Sequence, residues 1–162
     1  KLALIIVILL IGVMNCSKSD KEEKTNENKT INAPVKSDEK KENYEAEIVQ
    51  RMDAVKKEVQ PALDSGITAD MNNAVQKLGD SWETEMRKVY ELLLAELPEN
   101  EKTKLQKEQE EWIKKVKEDV EKSTEESEGG TISGTLGGNA WASGIEQRTL
   151  ELAKRYDKLH KK

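Results

Sequence analysis

Apolar residues recur every three or four positions from Tyr44 to the end of the chain, which is the spacing of one face of an α-helix. The first apolar stripe leads to Pro61, which is expected to close or kink its helix. A second and longer stripe begins at Thr68, a predicted N-cap, and ends before Pro98. Gly79 is a point at which this second helix is expected to be weakest.

Two more helices are predicted, one from Glu101 to about Glu126 and one from about Ala140 to Leu159. The segment between them, residues 127–139, reads SEGGTISGTLGGN and holds five of the nine glycines, so a loop is predicted there. It lacks the Lys-Ser/Thr ending of a phosphate-binding loop and follows a helix, so no nucleotide is expected. The pattern indicates an all-α, antiparallel bundle of four or five helices.

The chain begins with one lysine and an uncharged apolar run at residues 2–13, LALIIVILLIGV. This run is shorter than the roughly 20 apolar residues of a membrane-spanning helix and has the length typical of a signal peptide. It ends in Val13-Met14-Asn15-Cys16, which resembles the lipobox of bacterial lipoproteins. The resemblance implies cleavage before Cys16 and attachment of diacylglycerol and palmitate there; Asn15 departs from the usual small residue. The alternative is an ordinary secretory signal followed by an incidental cysteine.

Residues 17–43 contain almost nothing to bury, since Ile31, Ala33 and Val35 are their only apolar side chains. Such a segment is expected to be disordered. A flexible coil of this length has a root-mean-square reach of roughly 30 Å. The predicted organisation is therefore a signal peptide at 1–15, a lipidated cysteine and tether at 16–43, and a helical domain at 44–162.

Charged residues make up 36% of the chain and aromatic residues 4%, with a formal net charge of −5. Lys1 is the only charged residue of the predicted signal peptide, so its removal makes the net charge −6. This acidity speaks against a nucleic-acid partner, which would require a basic face, and is compatible with a cationic protein partner. Because Cys16 is the only cysteine, no disulfide within the chain is possible.

The sequence offers little for catalysis. His160 is the only histidine, three positions from the end, and Cys16 is assigned to lipid. No nucleophile, base and acid set and no metal-ligand spacing stands out. The prediction is a protein that is not an enzyme and uses no metal or cofactor.

Arg148 and Gln109 are the two polar residues on otherwise apolar stripes. A buried guanidinium must be paired, so Arg148 is expected to bond Gln109, Asp80 or Glu83. Tyr90 and Trp112 are assigned to the same polar part of the core. We favour a structural role for these polar residues, as a hydrogen-bonded network in the core. A role in binding is the alternative.

Several short motifs follow one another in order: TADMN at 68–72, MRKVY at 86–90, Leu105-x3-Gln109-x2-Trp112-Ile113, Gly129-Gly130-Thr131, and Gln147-Arg148-Thr149-x2-Leu152. This series resembles the lysozyme inhibitor LprI family of small secreted or lipidated helical domains, over about residues 68–159. The resemblance implies binding and inhibition of lysozyme. The chain departs from the family at Ala74, Val120 and Ala140, where cysteines are usual, and at Arg87, where asparagine is usual.

The acidic segment beside the predicted loop is the candidate partner-binding site, with Glu125, Glu126, Glu128, Gly129 and Gly130 entering a cleft of a cationic lysozyme-type protein. Alternatively, the loop only connects two helices. An aspartate directly after the lipidated cysteine retains many lipoproteins in the inner membrane, and this chain has Ser17 there. Localisation at the outer membrane or cell surface is therefore expected. The competing function is a structural or accessory surface lipoprotein without activity on lysozyme.

Overall fold

The computed structural model describes residues 43–125 and 130–161. They form four helices, α1 (Tyr44–Leu63), α2 (Thr68–Glu96), α3 (Glu99–Glu125) and α4 (Ser133–His160). The prediction of an all-α bundle is confirmed, and the helix number is four in the described residues. The predicted signal peptide, Cys16 and nearly all of the predicted tether lie outside the described residues.

Helices that follow one another in the chain run in opposite directions. Arg51 and Glu58 on α1 pair with Glu85 and Lys77 on α2, so later residues of one helix meet earlier residues of the other. By contrast, α2 and α4 run parallel. Thr135 donates a hydrogen bond of 2.6 Å to Asn72 near their starts, and Tyr156 donates one of 3.2 Å to Glu96 near their ends.

The last helix is the centre of the bundle, because α4 packs against each of the other three. Its closest approaches occur at glycines. A Cβ atom on Gly138 would lie 2.6 Å from Val75 Cγ2 on α2, and one on Gly144 would collide with Val116 Cγ2 on α3. The missing side chains let two helices approach α4 more closely than ordinary residues would. The core is otherwise built of large apolar side chains, among them Trp82, Ile48, Met52, Leu93, Leu105, Ile145 and Leu152.

α1 and α2 differ from the sequence prediction at three positions. α1 continues two residues past Pro61, which is exposed. Proline has no N–H to donate, so one backbone hydrogen bond of the helix is missing there, but the helix does not end. α2 passes through Gly79 without a break, because Trp141 packs over that glycine. Thr68 is the first helical residue of α2, and Ile67 stands at the N-cap position.

The predicted loop at 127–139 is wrong in its second half, since α4 begins at Ser133 and not near Ala140. Glycine lowers helix propensity by about 1 kcal/mol relative to alanine, which is why the sequence favours a loop here. In the structure Gly137 and Gly138 lie against α3 and α2, so close packing offsets their low propensity. The connection between α3 and α4 is therefore shorter than predicted.

Candidate functional site

Arg148 lies on the face of α4 that meets α3, and only 4% of it is exposed. Its Nε donates a hydrogen bond of 2.9 Å to Gln109 Oε1, and its Nη1 forms an ion pair of 3.0 Å with Glu151. Gln109 is buried as well and places its amide nitrogen 3.8 Å from the sulfur of Met86 on α2. This pair of polar side chains thereby connects three helices.

Of the partners expected for Arg148, the structure brings only Gln109 to it. Glu83 pairs instead with Arg87 on its own helix, and Asp80 is exposed on α2. Both lie on α2, whereas Arg148 faces α3. The further carboxylate near Arg148 is Glu108, at 3.9 Å from Nη2.

Tyr90 and Trp112 flank this part of the core. Burial raises the pKa of Tyr90, and Glu110 adds to the rise while Arg148 opposes it. The Tyr90 hydroxyl and Arg148 Nη2 are buried without a hydrogen bond to another described residue. Trp112 is half-buried and packs against Trp141, with ring centroids 6.4 Å apart. The burial of Arg148 and Gln109 and the bonds between them give the arrangement the character of a packing network.

The second predicted site, at the connection between α3 and α4, is only partly described. Glu125 is the last residue of α3 and is exposed. Gly130 is exposed too, and its carbonyl accepts a hydrogen bond of 2.9 Å from the N–H of Ser133 at the start of α4. Glu126, Glu128 and Gly129 lie outside the described residues.

This connection belongs to a larger surface, which we call the distal end: residues 60–74, 118–125 and 130–139. The contact between Asn72 and Thr135 joins α2 to α4 here, and Gly137 joins α4 to α3 at Thr124. α1 begins at the opposite end of the bundle, where Tyr44 meets Asp157 near the end of α4.

Sequence reasoning missed most of the distal end. Ile67, Ile132 and Leu136 are exposed there, with Ile67 at 56%. Asp64 and Asp70 lie close to the same turn between α1 and α2. An isoleucine directly after Ser65-Gly66 is unusual in a turn, and it could have indicated an exposed apolar surface here.

The residues that the structure describes contain no group of three His, Cys, Asp or Glu side chains able to hold a metal ion. His160 Nε2 lies 3.0 Å from the carboxylate of Glu96. None of the described helices is long and apolar enough to cross a membrane.

The described residues thus form a small four-helix domain with charged and apolar side chains exposed at its surface. The family model described as lysozyme inhibitor LprI matches residues 59–154, from the end of α1 through most of α4. The chain belongs to the LprI lysozyme inhibitor family, which is a family of inhibitors and not of enzymes. No curated protein and no solved structure matches the chain.

Proposed function

We propose that this protein is a lipid-anchored inhibitor of lysozyme in the bacterial cell envelope. The observation that carries the proposal is the match to the lysozyme inhibitor LprI family over more than half of the chain. The matched region includes the whole of α2 and α3, so it is the helical bundle that would bind the enzyme.

The charge of the chain supports this partner. Lysozymes are usually strongly basic proteins with carboxylates in their cleft, and this chain carries a net charge of −5. Opposite charge steers two proteins together and raises their association rate. An inhibitor held outside the cytoplasm would meet lysozyme before the enzyme reaches peptidoglycan.

The inhibition test uses purified residues 17–162 titrated into lysozyme digesting bacterial cell walls. We expect a dose-dependent loss of lytic activity that saturates near a fixed molar ratio. The same protein after heat unfolding is the control, because an acidic polymer would inhibit by charge alone. Undiminished lysis at large molar excess would contradict the proposal and favour an accessory surface lipoprotein.

The anchor is proposed from Cys16 at the end of the apolar run at 2–13. Acyl chains contribute about 0.8 kcal/mol per buried CH₂ group, so they can hold the domain at a membrane surface. Mass spectrometry of the mature N-terminus should find Cys16 acylated, and Cys16→Ser should move the protein from the membrane fraction to the soluble fraction. An unmodified thiol at Cys16 would refute the anchor and leave the inhibitor proposal standing.

A further inference from the structure

The distal end carries a group of exposed apolar side chains. Ile67 is 56% exposed, and Ile132 and Leu136 are each 38% exposed. Ile132 and Leu136 are one helical turn apart on α4, and the bond between Asn72 and Thr135 sets the start of α2 beside the start of α4. Large apolar side chains gathered at one place on a surface are typical of contact sites.

The carboxylates of the distal end form no ion pairs with the residues that the structure describes. The distal end holds six of the 32 acidic residues but only one of the 27 basic residues, Lys122. None of the six described carboxylates here forms an ion pair with a described residue: Asp64, Asp70, Glu118, Asp119, Glu121 and Glu125. On the flanks most carboxylates are paired, as Glu58 is with Lys77 and Glu146 with Lys56.

Several residues of the distal end lower the stability of the helices that meet there. Asp64 and Glu125 stand at the C-terminal ends of α1 and α3, where the helix dipole disfavours negative charge. Ile67 and Ile132 stand at the N-cap positions of α2 and α4, and neither helix has a side-chain cap. Isoleucine is among the poorest residues for that position. Local rules broken together at one surface are expected where a surface serves function.

We propose that the distal end is the docking surface for lysozyme, with Ile67, Ile132 and Leu136 in the contact and the carboxylates around them facing basic side chains of the enzyme. This inference rests on the proposed function and adds the place of contact. A second copy of the chain does not fit, because two such ends would oppose like charges. A cationic protein satisfies both the apolar centre and the unpaired acids.

The first test reverses charge at the distal end with Asp64→Lys, Glu121→Lys and Glu125→Lys together. The matched control is Asp53→Lys, Asp80→Lys and Glu91→Lys, which changes the net charge equally at exposed carboxylates without ion pairs on the flanks. We expect lysozyme binding by the distal variant to weaken on the order of tenfold or more, mainly through slower association, and the control to stay within about threefold. The melting temperature of the distal variant should not fall.

The second test removes the apolar contact with Ile67→Ser and Leu136→Ser. Val49→Ser and Leu159→Ser form the control, since those side chains are 38% and 46% exposed outside the distal end. We expect the distal pair to weaken binding on the order of tenfold, through faster dissociation, with the control unchanged.

The outcomes separate the two proposals. Lysozyme inhibition that is equal in the distal and control variants would overturn the docking surface while the inhibitor function stands. A folded wild-type protein that neither binds nor inhibits lysozyme would overturn both. Weaker binding confined to the distal variants, with a melting temperature equal to or above that of wild type, would support the surface.

Discussion

The backbone N–H of Tyr44 donates a hydrogen bond of 2.7 Å to the carboxylate of Asp157, 113 positions away. The other oxygen of Asp157 accepts from the N–H of Glu45 at 3.1 Å, so a side chain of α4 caps the start of α1. Asp157 is 4% exposed, and the rings of Tyr44 and Tyr156 pack edge to face beside it. α1 therefore depends on α4 for its first hydrogen bonds and for the packing of Tyr44.

Replacing Asp157 with alanine should loosen α1 specifically. The variant leaves two buried or half-buried N–H groups without acceptors, which is expected to cost about 1–3 kcal/mol. Chemical denaturation would measure the loss, and hydrogen exchange should accelerate in α1 more than in α3. Asp53→Ala, at an exposed position on α1, is the control, and equal stability of the two variants would contradict the capping role.

The approach of α3 to α4 should be sensitive to a single methyl group. Gly144→Ala places a Cβ atom in collision with Val116, so we expect a loss of about 1–3 kcal/mol. Ser143→Ala, exposed on the same helix, should change stability by less than about 0.5 kcal/mol. Val116→Ala removes the colliding methyl group, so the double variant should lose less free energy of unfolding than the two single variants lose in total. A loss equal to or larger than that total would argue against this contact.

The hydrogen bond from Arg148 to Gln109 should matter more than the surface charges around it. Gln109→Leu removes the acceptor and leaves a buried guanidinium nitrogen unbonded, at a cost of about 1–3 kcal/mol. Gln106→Leu, on the exposed face of α3, is the matched control. If thermal unfolding finds both variants equally stable, the network is not a structural element of the core.

Stability should fall in acid partly through Glu85. Burial raises the pKa of this carboxyl, but hydrogen bonds from Arg51 and Lys88 outweigh that effect and hold the pKa below its ordinary value of 4.5. Below pH 4.5 the unfolded chain takes up this proton first, so the contribution of Glu85 is lost as pH falls through the lower, folded pKa. It is fully present above pH 4.5.

The check is the urea midpoint measured from pH 6 to pH 3. Glu85→Gln should be less stable than wild type at pH 6 and should lose less stability on acidification. Glu91→Gln, at an exposed carboxylate, provides the control. A profile for Glu85→Gln parallel to that of wild type would exclude Glu85 as a source of the pH dependence.

Ile67→Ser should stabilise the protein. Serine at the N-cap of α2 can accept a hydrogen bond from the first turn, which contributes about 1 kcal/mol, while the isoleucine removed is more than half exposed. Thermal unfolding would show the gain. A lower melting temperature would mean that Ile67 packs against the domain and is not free for a partner.

Local sequence pattern was enough to predict the all-α class and to single out part of the polar core. Stripes of period 3.6 depend only on local spacing, so they predict four or five helices and mark Arg148 and Gln109 as polar residues on apolar faces. Gly66 and Pro98 favour turns because of their own backbone preferences, so the ends of the helices beside them can also be predicted locally. The order of short motifs also sufficed to indicate the LprI family.

How the helices meet could not be predicted from local sequence pattern. Helix propensity favours a loop at Gly137 and Gly138, but their close contact with α3 and α2 keeps them helical, and no local rule contains that contact. The parallel packing of α2 and α4 then brings Ile67 and Leu136 to one end, where Asp64 at the end of α1 and Glu125 at the end of α3 also lie. The distal end is a product of packing between segments, because burial energy depends on neighbours that spacing along a sequence does not specify.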